Sequence, residues 1–468
     1  MSKAAEFVSS LFSALNRQKI EYCVLRNYDG LPEKVGNDID IWVESSQAQD
    51  AQEILLQCAQ RSGWALTRVL LRLYHYPAGR YFFNKRGEDG AHDILEIDIV
   101  ESLSWKGTSY VDETFLAKHL LPHPKGFPIP SPGIEASILL LKTLLFEGKV
   151  LEKYRQRIVT LSTKDPKTFV ESLSKPFGRR TADAILSMAK EEKWAEIEKS
   201  KHSLQWRLVI RAVANNPLLQ ARQTALYFYS RLRERLSAKC GFFLVLIGPD
   251  GSGKTTTANM LLESEAIKKL FPNRTYFYRN FSFMPELKTI ASLFGIRPKQ
   301  QETETSKREG TTVPFGVLRS MIYPIYYGFE YFLGRFWLWR EKGQHCTITV
   351  FDRYFYEYFL QKQFMKCPQW FLSLISRIIA QPDALVFLQN EPEVVYTRKQ
   401  ELSVEEIAQY SQVCARIVDL HPNGFTVHTS SKEDVLNEIQ GIVISQLQRK
   451  QCAVLHKVGW RERGSKDN

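Results

Sequence analysis

The 468-residue chain has no long hydrophobic run and no closely spaced pair of cysteines. A helix that crosses a membrane needs about 20 consecutive apolar residues, and no uninterrupted apolar stretch approaches that length. The N-terminal stretch MSKAAEFVSSLFSALNRQKIEY is amphipathic and lacks the apolar core and cleavage site of a secretory signal, so we expect the first helix of a domain. The seven cysteines include no C-x-x-C pair, which predicts reduced thiols and no metal held by cysteine. Together these absences predict a cytoplasmic protein.

Zinc-finger spacings and RNP-type aromatic motifs, which are common in nucleic-acid-binding proteins, are also absent. The formal net charge is nevertheless +12. A basic excess of this kind suits nucleic acid, an anionic membrane surface or small molecules that carry phosphate. Because the motifs for nucleic-acid binding are missing, we expect no nucleic-acid partner. We favour a phosphate-bearing small molecule, with contact to a membrane surface as the alternative.

The stretch LIGPDGSGKTTTAN, Leu246–Asn259, matches the G-x-x-x-x-G-K-[ST] pattern of a phosphate-binding loop. The apolar segment FFLVLI precedes it and a helical pattern follows, which is the context that this motif requires. Glycines let backbone N–H groups turn inward onto phosphates, and the N-terminus of the following helix favours negative charge. The predicted nucleotide-binding residues are Gly248, Gly251, Ser252, Gly253, Lys254, Thr255 and Thr256. Lys254 would reach the β- and γ-phosphates and Thr255 would ligate Mg²⁺, so the sequence predicts ATP and Mg²⁺ as cofactors.

Three further features accompany the loop. Asp250 lies inside it, VFDRY follows at the carboxyl end of a buried strand, where ligands bind in open α/β sheets, and Arg398 lies on a helix after the strand DALVFL. This set resembles the thymidylate kinase-like family of P-loop kinases over roughly residues 240–445. The resemblance implies that Asp250 contacts the acceptor, that Arg353 grips an acceptor phosphate and that Arg398 or Lys399 supplies positive charge from a lid. The predicted catalytic residues are Lys254, Asp250, Arg353, Asp352 and Arg398. The alternatives are a structural Asp352–Arg353 ion pair and a solvated Arg398.

The segment after the DRY triplet departs from thymidylate kinases, which usually continue with a serine and an Ala-Tyr-Gln segment that serves the thymine pocket. Here DRYFYEYFLQKQF has Glu357 among aromatic residues, and it resembles the kinase-like proteins found with surface-polysaccharide genes. An ionised Glu357 would repel the carbonyl oxygens of thymine but would accept a hydrogen bond from a hydroxyl group. We therefore expect a sugar-like acceptor rather than thymidylate. The alternative is that Glu357 points into solvent and that the base pocket lies elsewhere.

Carboxylates alternate with apolar residues in two segments of the N-terminal region. GNDIDIWV has Asp38 and Asp40 on one face of a predicted strand, and LEIDIV has Glu96 and Asp98 on one face of a later strand. Three carboxylates on adjacent strands can hold two Mg²⁺ ions. The predicted metal ligands are Asp38, Asp40 and Asp98.

Together with VLRNYDGLP upstream, these acids resemble the minimal nucleotidyltransferase family over about residues 20–100. The sequence departs from that family at Arg26 and Asn27, which replace the glycine and serine that normally cradle the triphosphate. Three interpretations stay open: an active enzyme, a degenerate ligand-binding relic, and strand-edge acids without a role.

These patterns predict an α/β protein in three parts followed by a tail. Residues 1–122 are predicted to form an α+β nucleotidyltransferase-like domain, 123–235 a helical middle region with a proline-rich connector, 236–450 a P-loop kinase domain with a parallel sheet, and 451–468 a disordered basic tail. The aromatic segment FGVLRSMIYPIYYGFEYFLGRFWLW is predicted to be a helix that covers the sheet and walls the acceptor cleft. The alternative is an interfacial helix on a membrane.

The predicted function is ATP-dependent phosphorylation of a small acceptor, either a nucleoside monophosphate or a sugar-related metabolite. A second nucleotide would bind the N-terminal domain, and its transfer would serve the synthesis of surface-polysaccharide precursors, a step that follows from the resemblance alone. Two alternatives stay open. One is a regulator in which ATP binding switches partner contacts without rapid turnover, and the other is a peripheral membrane scaffold.

Overall fold

The computed structural model describes residues 3–36, 38–71, 78–237, 240–285, 287, 289 and 316–457. The chain divides into two compact units. The first comprises the regions 1–85, 94–233 and 452–468, and the second comprises 86–93 and 234–451. Within the described ranges, no helix combines the length and the apolar character needed to cross a membrane.

A five-stranded mixed sheet with the order β1-β2-β5-β4-β3 organises the first unit. Its strands are β1 Tyr22–Val24, β2 Asp38–Val43, β3 Ala65–Leu71, β4 Gly79–Arg86 and β5 His92–Val100. Strands β2 and β5 run parallel, whereas β1 pairs with β2 and β3 with β4 in antiparallel fashion. Two short hairpins follow, formed by β6 Ser104–Trp105 with β7 Thr108–Ser109 and by β8 Leu120–Pro122 with β9 Pro128–Pro130.

α-Helices make up most of the remaining described structure in this part of the chain. They are α1 Lys3–Arg17, α2 Ala48–Arg61, α3 Glu113–Lys118, α4 Pro132–Phe146, α5 Glu152–Lys164, α6 Pro166–Phe177, α7 Arg179–Lys190, α8 Trp194–Lys199, α9 Lys201–Asn215 and α10 Pro217–Ser237. On one face of the sheet, Ile39 and Ile41 of β2 join an apolar core with Phe7 of α1 and Leu55 of α2. Because consecutive side chains of a strand point to opposite faces, the carboxylates of β2 lie on the other face.

A second apolar core connects that other face to the helical region. Helix α4 is buried around most of its circumference, and α5, α6 and α9 pack against it. A helix that is apolar on all sides is typical of a buried position. Trp42 and Val100 of the sheet belong to the same core as Leu141 of α4. The helical region therefore shares a hydrophobic core with the sheet inside the first unit.

The second unit contains a five-stranded parallel sheet with the order β11-β12-β10-β13-β14. The strands are β10 Phe242–Ile247, β11 Asn273–Tyr278, β12 Thr347–Asp352, β13 Ala384–Gln389 and β14 Gly424–His428. This sheet confirms the predicted α/β class. The two edge strands, β11 and β14, are half exposed and therefore lack the continuous apolar run that identifies the three central strands in the sequence.

Helices lie between these strands along the chain, and one more follows the last strand. They are α11 Lys254–Glu263, α12 Glu265–Leu270, α13 Val317–Gln344, α14 Gln369–Ile378, α15 Pro392–Arg398, α16 Val404–Leu420 and α17 Lys432–Lys457. The aromatic helix α13 packs Tyr331 and Leu338 into the core that contains Phe351 of β12, whereas Phe329 and Phe336 are exposed. It therefore covers the sheet with only part of its surface.

The structure corrects the predicted disordered tail in its first part. Helix α17 continues to Lys457, and Leu455 is buried in an apolar cluster, which orders a segment whose composition is basic. Residues 458–468 of the predicted tail lie outside the described residues.

The prediction of reduced thiols is wrong for one pair of cysteines, because Cys240 and Cys346 form a disulfide with Cα atoms 4.8 Å apart. Cys240 lies two residues before the start of β10 and Cys346 one residue before the start of β12, and Phe242 of β10 pairs with Ile348 of β12. Extending this parallel register by two residues brings Cys240 beside Cys346. Strand pairing, rather than sequence spacing, creates the cross-link.

Candidate active site

The phosphate loop joins β10 to α11 at the carboxyl edge of the parallel sheet. Gly248, Gly251 and Gly253 have φ values of 148°, 91° and 91°, in a region that L side chains rarely adopt. At Gly248, an added Cβ would also lie 2.9 Å from the hydroxyl oxygen of Ser252. Glycine therefore allows the tight turn that ends at the N-terminus of α11, the helix end that favours a bound anion.

Lys254 is the first residue of α11, and its side chain is buried. Its Nζ donates hydrogen bonds to the carbonyl oxygens of Gly248 at 2.8 Å and Pro249 at 2.9 Å, and it lies 3.7 Å from Asp250 Oδ1. Burial lowers the pKa of the Lys254 ammonium group. These contacts hold the ammonium group within the turn of the loop.

Asp352, the last residue of β12, lies buried beside the loop. Its Oδ2 accepts hydrogen bonds from Thr255 Oγ1 at 2.5 Å and from Tyr276 OH at 3.1 Å. Among the described residues, no hydrogen-bond partner reaches its buried Oδ1. A threonine hydroxyl beside such a carboxylate is the protein part of a P-loop Mg²⁺ site, where phosphates and water supply the remaining ligands. Thr255 and Asp352 therefore fit Mg²⁺.

An ion-pair network joins the loop to the residues after β12. Arg353, which has a positive φ of 68°, pairs through Nη2 with Asp250 Oδ1, and its Nη1 lies 3.9 Å from Glu357 Oε2. The guanidinium lies 5.6 Å from the ring centroid of Tyr278. Lys399 Nζ lies 3.4 Å from the other Asp250 oxygen. The cation predicted to grip an acceptor phosphate is thus already in contact with carboxylates from two segments.

Two cavities meet at this network, and Asp250 and Arg353 line both. The phosphate cavity, over the loop, has a volume of about 540 Å³, and the acceptor cavity beside it about 580 Å³. Both volumes suit small molecules. The other predicted residues in the wall of the phosphate cavity are Gly251, Ser252, Gly253, Lys254, Thr255, Thr256, Asp352 and Arg398. No described residue of α13 lines the acceptor cavity, so the predicted role of this helix as a wall is not observed there.

Glu357 lies in the wall of the acceptor cavity, within a 3₁₀ turn over Phe355–Phe359. Its side chain is buried, and it accepts hydrogen bonds from Tyr410 OH at 3.0 Å and from Gln361 Nε2 at 3.3 Å. The alternative that Glu357 points into solvent is therefore wrong. The neighbouring Tyr358 also lines the cavity.

The sequence patterns do not single out several residues that contact the loop or its cavity. Asn390 donates to the carbonyl oxygen of Ser252 at 3.2 Å, and the run 429–432 lines the phosphate cavity. Asn390 and residues 429–432 each follow the carboxyl end of a parallel strand. Ligands commonly bind at that end of a parallel sheet, so this position could have identified them from the sequence. Arg398, which the sequence does single out, lies with Nη1 3.4 Å from the carbonyl oxygen of Gly251.

In the first unit, the parallel pairing of β2 with β5 sets Asp38 opposite Glu96 and Asp40 opposite Asp98. The adjacent strands and shared face expected for these acids are therefore observed. Burial raises the pKa of Glu96 to about 7, and the neighbouring charges of Asp38 and Asp98 add to this rise. Burial and the charge of Asp40 likewise raise the pKa of Asp38.

Arg26 supplies positive charge to this acidic face. Its Nε pairs with Asp40, its Nη2 lies 3.0 Å from Asp38 Oδ2, and its Nη1 donates to Tyr154 OH at 2.8 Å. Lys142 Nζ of α4 lies 3.5 Å from Asp40 Oδ2. Two cationic side chains therefore already approach the acid pair.

No group of three or more acidic, histidine or cysteine side chains within the described ranges is arranged to hold a metal ion. Metal ligation by Asp38, Asp40 and Asp98 therefore stays a prediction. In this structure the guanidinium of Arg26 contacts both Asp38 and Asp40.

Comparison with known proteins finds structural neighbours only. No family model and no curated protein matches the chain. It is similar to a thymidylate kinase from Candida albicans, with 16% identity and a TM-score of 0.31, over 44% of this chain and 92% of that protein. It is also similar to a thymidylate kinase from Ehrlichia chaffeensis, with 16% identity and a TM-score of 0.29, over 44% of this chain and 98% of that protein. TM-scores this low support no inference about function.

Proposed function

We propose that this protein is an ATP-dependent phosphotransferase that acts on a small acceptor in the second unit. The observation that carries the proposal is the shared wall of the two cavities at Asp250 and Arg353. A γ-phosphate bound on the loop would lie next to a cavity of suitable size for an acceptor. Lys254 and Thr255, the loop side chains expected to contact phosphate and Mg²⁺, line the phosphate cavity.

The residues of the loop have distinct tasks in this reaction. Backbone N–H groups at the start of α11 bind the β- and γ-phosphates, and Lys254 exchanges its two carbonyl partners for phosphate oxygens. Thr255 and Asp352 would hold Mg²⁺, which neutralises part of the phosphate charge when bound. An acceptor oxygen attacks the γ-phosphorus, the bond to the β–γ bridging oxygen breaks, and ADP leaves. The rest of catalysis is orientation and charge stabilisation.

The experiment that tests this proposal uses the full chain with labelled ATP, Mg²⁺ and a fractionated metabolite pool. We expect label to appear in an acceptor that depends on the added pool, and ATP·Mg²⁺ to raise the unfolding temperature. Binding of ATP without transfer to any acceptor would contradict the proposal. That outcome would favour a regulator that senses nucleotide. A contribution to surface-polysaccharide precursors is supported by the sequence resemblance, and the identity of the labelled acceptor tests it.

A second candidate function concerns the first unit. The contacts of Arg26 with Asp38 and Asp40 favour a head that binds a ligand without metal-dependent nucleotidyl transfer, because a tethered cation competes with metal for the same carboxylates. We expect Mn²⁺ to leave the unfolding temperature unchanged in the wild-type protein and to raise it in Arg26→Ala. A Mn²⁺-induced rise in the wild type that Asp40→Asn abolishes would overturn this assignment and favour the metal-dependent enzyme.

A further inference from the structure

We infer that the acceptor is an uncharged, polyhydroxylated molecule such as a sugar, and that phosphate is transferred to one of its hydroxyl groups rather than to a phosphate. The inference rests on the proposed phosphotransferase function and specifies its acceptor. It departs from the role that sequence resemblance assigns to Arg353. The contacts of Arg353, the wall of the acceptor cavity and the chemistry of the transfer carry it.

Arg353 is not poised to receive an acceptor phosphate. Its side chain is 5% exposed, its Nη2 pairs with Asp250, and its Nη1 faces Glu357 at 3.9 Å. A phosphate that approached the guanidinium would have to displace Asp250 or lie close to the carboxylate of Glu357. Like charges repel strongly where solvent is largely excluded. A neutral acceptor avoids this conflict.

The charged residues in the wall of the acceptor cavity also favour a neutral acceptor. Among the described residues in its wall, the acidic ones are Asp250, Glu357, Glu401 and Glu406, and the basic ones are Arg279 and Arg353. Lys399 balances part of this excess, because its Nζ lies 3.1 Å from Glu401 Oε1 and 3.4 Å from Asp250 Oδ2. A wall with more acids than arginines disfavours an anionic ligand.

The uncharged side chains of the wall suit a sugar ring. Amide groups of Gln361, Gln363 and Gln409 line the cavity, and an amide can both donate to and accept from hydroxyl groups. Tyr358 and Tyr410 add aromatic surface and polar hydroxyls to the same wall. Flat apolar surface combined with groups that donate and accept hydrogen bonds complements a ring that carries several hydroxyls.

The transfer chemistry explains why carboxylates are useful here. The oxygen of an acceptor phosphate is already anionic near neutral pH and needs no base, whereas a hydroxyl group must lose its proton. Asp250 borders both cavities, so it is the carboxylate at the point of transfer. The hydroxyl oxygen forms a bond to the γ-phosphorus as the bond to the β–γ bridging oxygen breaks, the proton passes to Asp250, and ADP leaves. Glu357 accepts a hydrogen bond from a second hydroxyl and so selects the acceptor.

The test compares neutral hexoses, pentoses and polyols with their phosphorylated counterparts and with nucleoside monophosphates, using the full chain. We expect kcat/KM for the best neutral acceptor to exceed that of its phosphorylated form by about 100-fold or more. Nucleoside monophosphates or sugar phosphates as the best acceptors would overturn the inference. A higher kcat/KM for an amino sugar than for its parent sugar would overturn the inference that the acceptor is uncharged.

Glu357→Gln separates the two acceptor classes by the direction in which the acceptor KM changes. The glutamine side chain has nearly the same shape, and its one amide oxygen can still accept from Tyr410 or from Gln361. With a neutral acceptor, losing the ionised hydrogen-bond acceptor should raise the acceptor KM by about tenfold and leave the KM for ATP unchanged. With a phosphate acceptor, removing the negative charge should instead lower the acceptor KM. Glu405→Gln, at an exposed position of α16, is the matched control and should change neither value.

Measuring ATP·Mg²⁺ binding together with acceptor use shows whether this inference alone is wrong or the proposed function is wrong as well. If ATP·Mg²⁺ stabilises the protein and phosphorylated acceptors are used best, the phosphotransferase stands and the present inference falls. If ATP binds and no acceptor of either class is phosphorylated, both fall.

Discussion

Replacing Lys254 with alanine should remove phosphoryl transfer while leaving the fold nearly as stable as before. In the structure, Lys254 Nζ makes two hydrogen bonds, to the carbonyl oxygens of Gly248 and Pro249, each worth about 1.5–3 kcal/mol for a charged donor. Burial of the ammonium, which lowers its pKa, costs several kcal/mol and offsets that gain. We therefore expect the free energy of unfolding to change by no more than about 2 kcal/mol.

The effect on catalysis should be much larger, because the lost charge faces the phosphate on which negative charge develops during transfer. Removing one such contact costs about 10²–10³-fold in kcat, or about 2.7–4 kcal/mol of transition-state stabilisation. Label transfer from ATP under single-turnover conditions measures this loss, and thermal unfolding measures the change in stability. Lys268→Ala on α12, where the side chain is 35% exposed, is the matched control and should retain wild-type transfer.

Two results would refute this reasoning about Lys254. Transfer by the alanine variant at close to the wild-type rate would show that the loop does not hold the transferred phosphate. A variant that has lost its cooperative unfolding transition would show that the side chain is needed for folding. The loss of transfer could then not be separated from a loss of stability.

The other predictions concern metal and pH. Asp352→Asn should raise the Mg²⁺ concentration for half-maximal transfer by about tenfold or more, because it removes an ionised oxygen beside Thr255; an unchanged Mg²⁺ titration would exclude Asp352 from the metal site. The folded-state pKa of Glu96, about 7, lies above its ordinary value of 4.5, so the folded chain binds this proton more tightly than the unfolded chain. Stability should therefore fall as the pH rises from about 4.5 to about 7, by up to about 3 kcal/mol. Thermal unfolding at pH 5 and pH 8 should show this fall in the wild type and a smaller one in Glu96→Gln, and equal falls in both proteins would contradict the assignment.

The turn of the phosphate loop and the side of each strand on which its acids lie could be predicted because their geometry is local. Gly251 and Gly253 lie in a short contiguous segment between a strand and a helix, and the turn that they allow depends on few distant contacts. The faces of Asp38 and Asp40 likewise follow from the alternation of side chains along one strand. In both cases the residues concerned are neighbours in sequence, whereas the pairing of β2 with β5 brings distant segments together.

Tertiary structure decided which distant groups neutralise these sites. The sequence contains Arg26, Arg353 and Glu357, but no periodicity indicates that Arg26 bridges two strand acids or that Arg353 is already paired with Asp250. The Cys240 disulfide likewise depends on a parallel strand register formed far along the chain. Such contacts depend on strand order and helix packing, which many distant residues set together, so a short sequence pattern does not encode them. By itself the sequence therefore determined the local geometry of the loop and the faces of the strand acids, whereas the fold decided the charges around them and, with them, the acceptor that we propose.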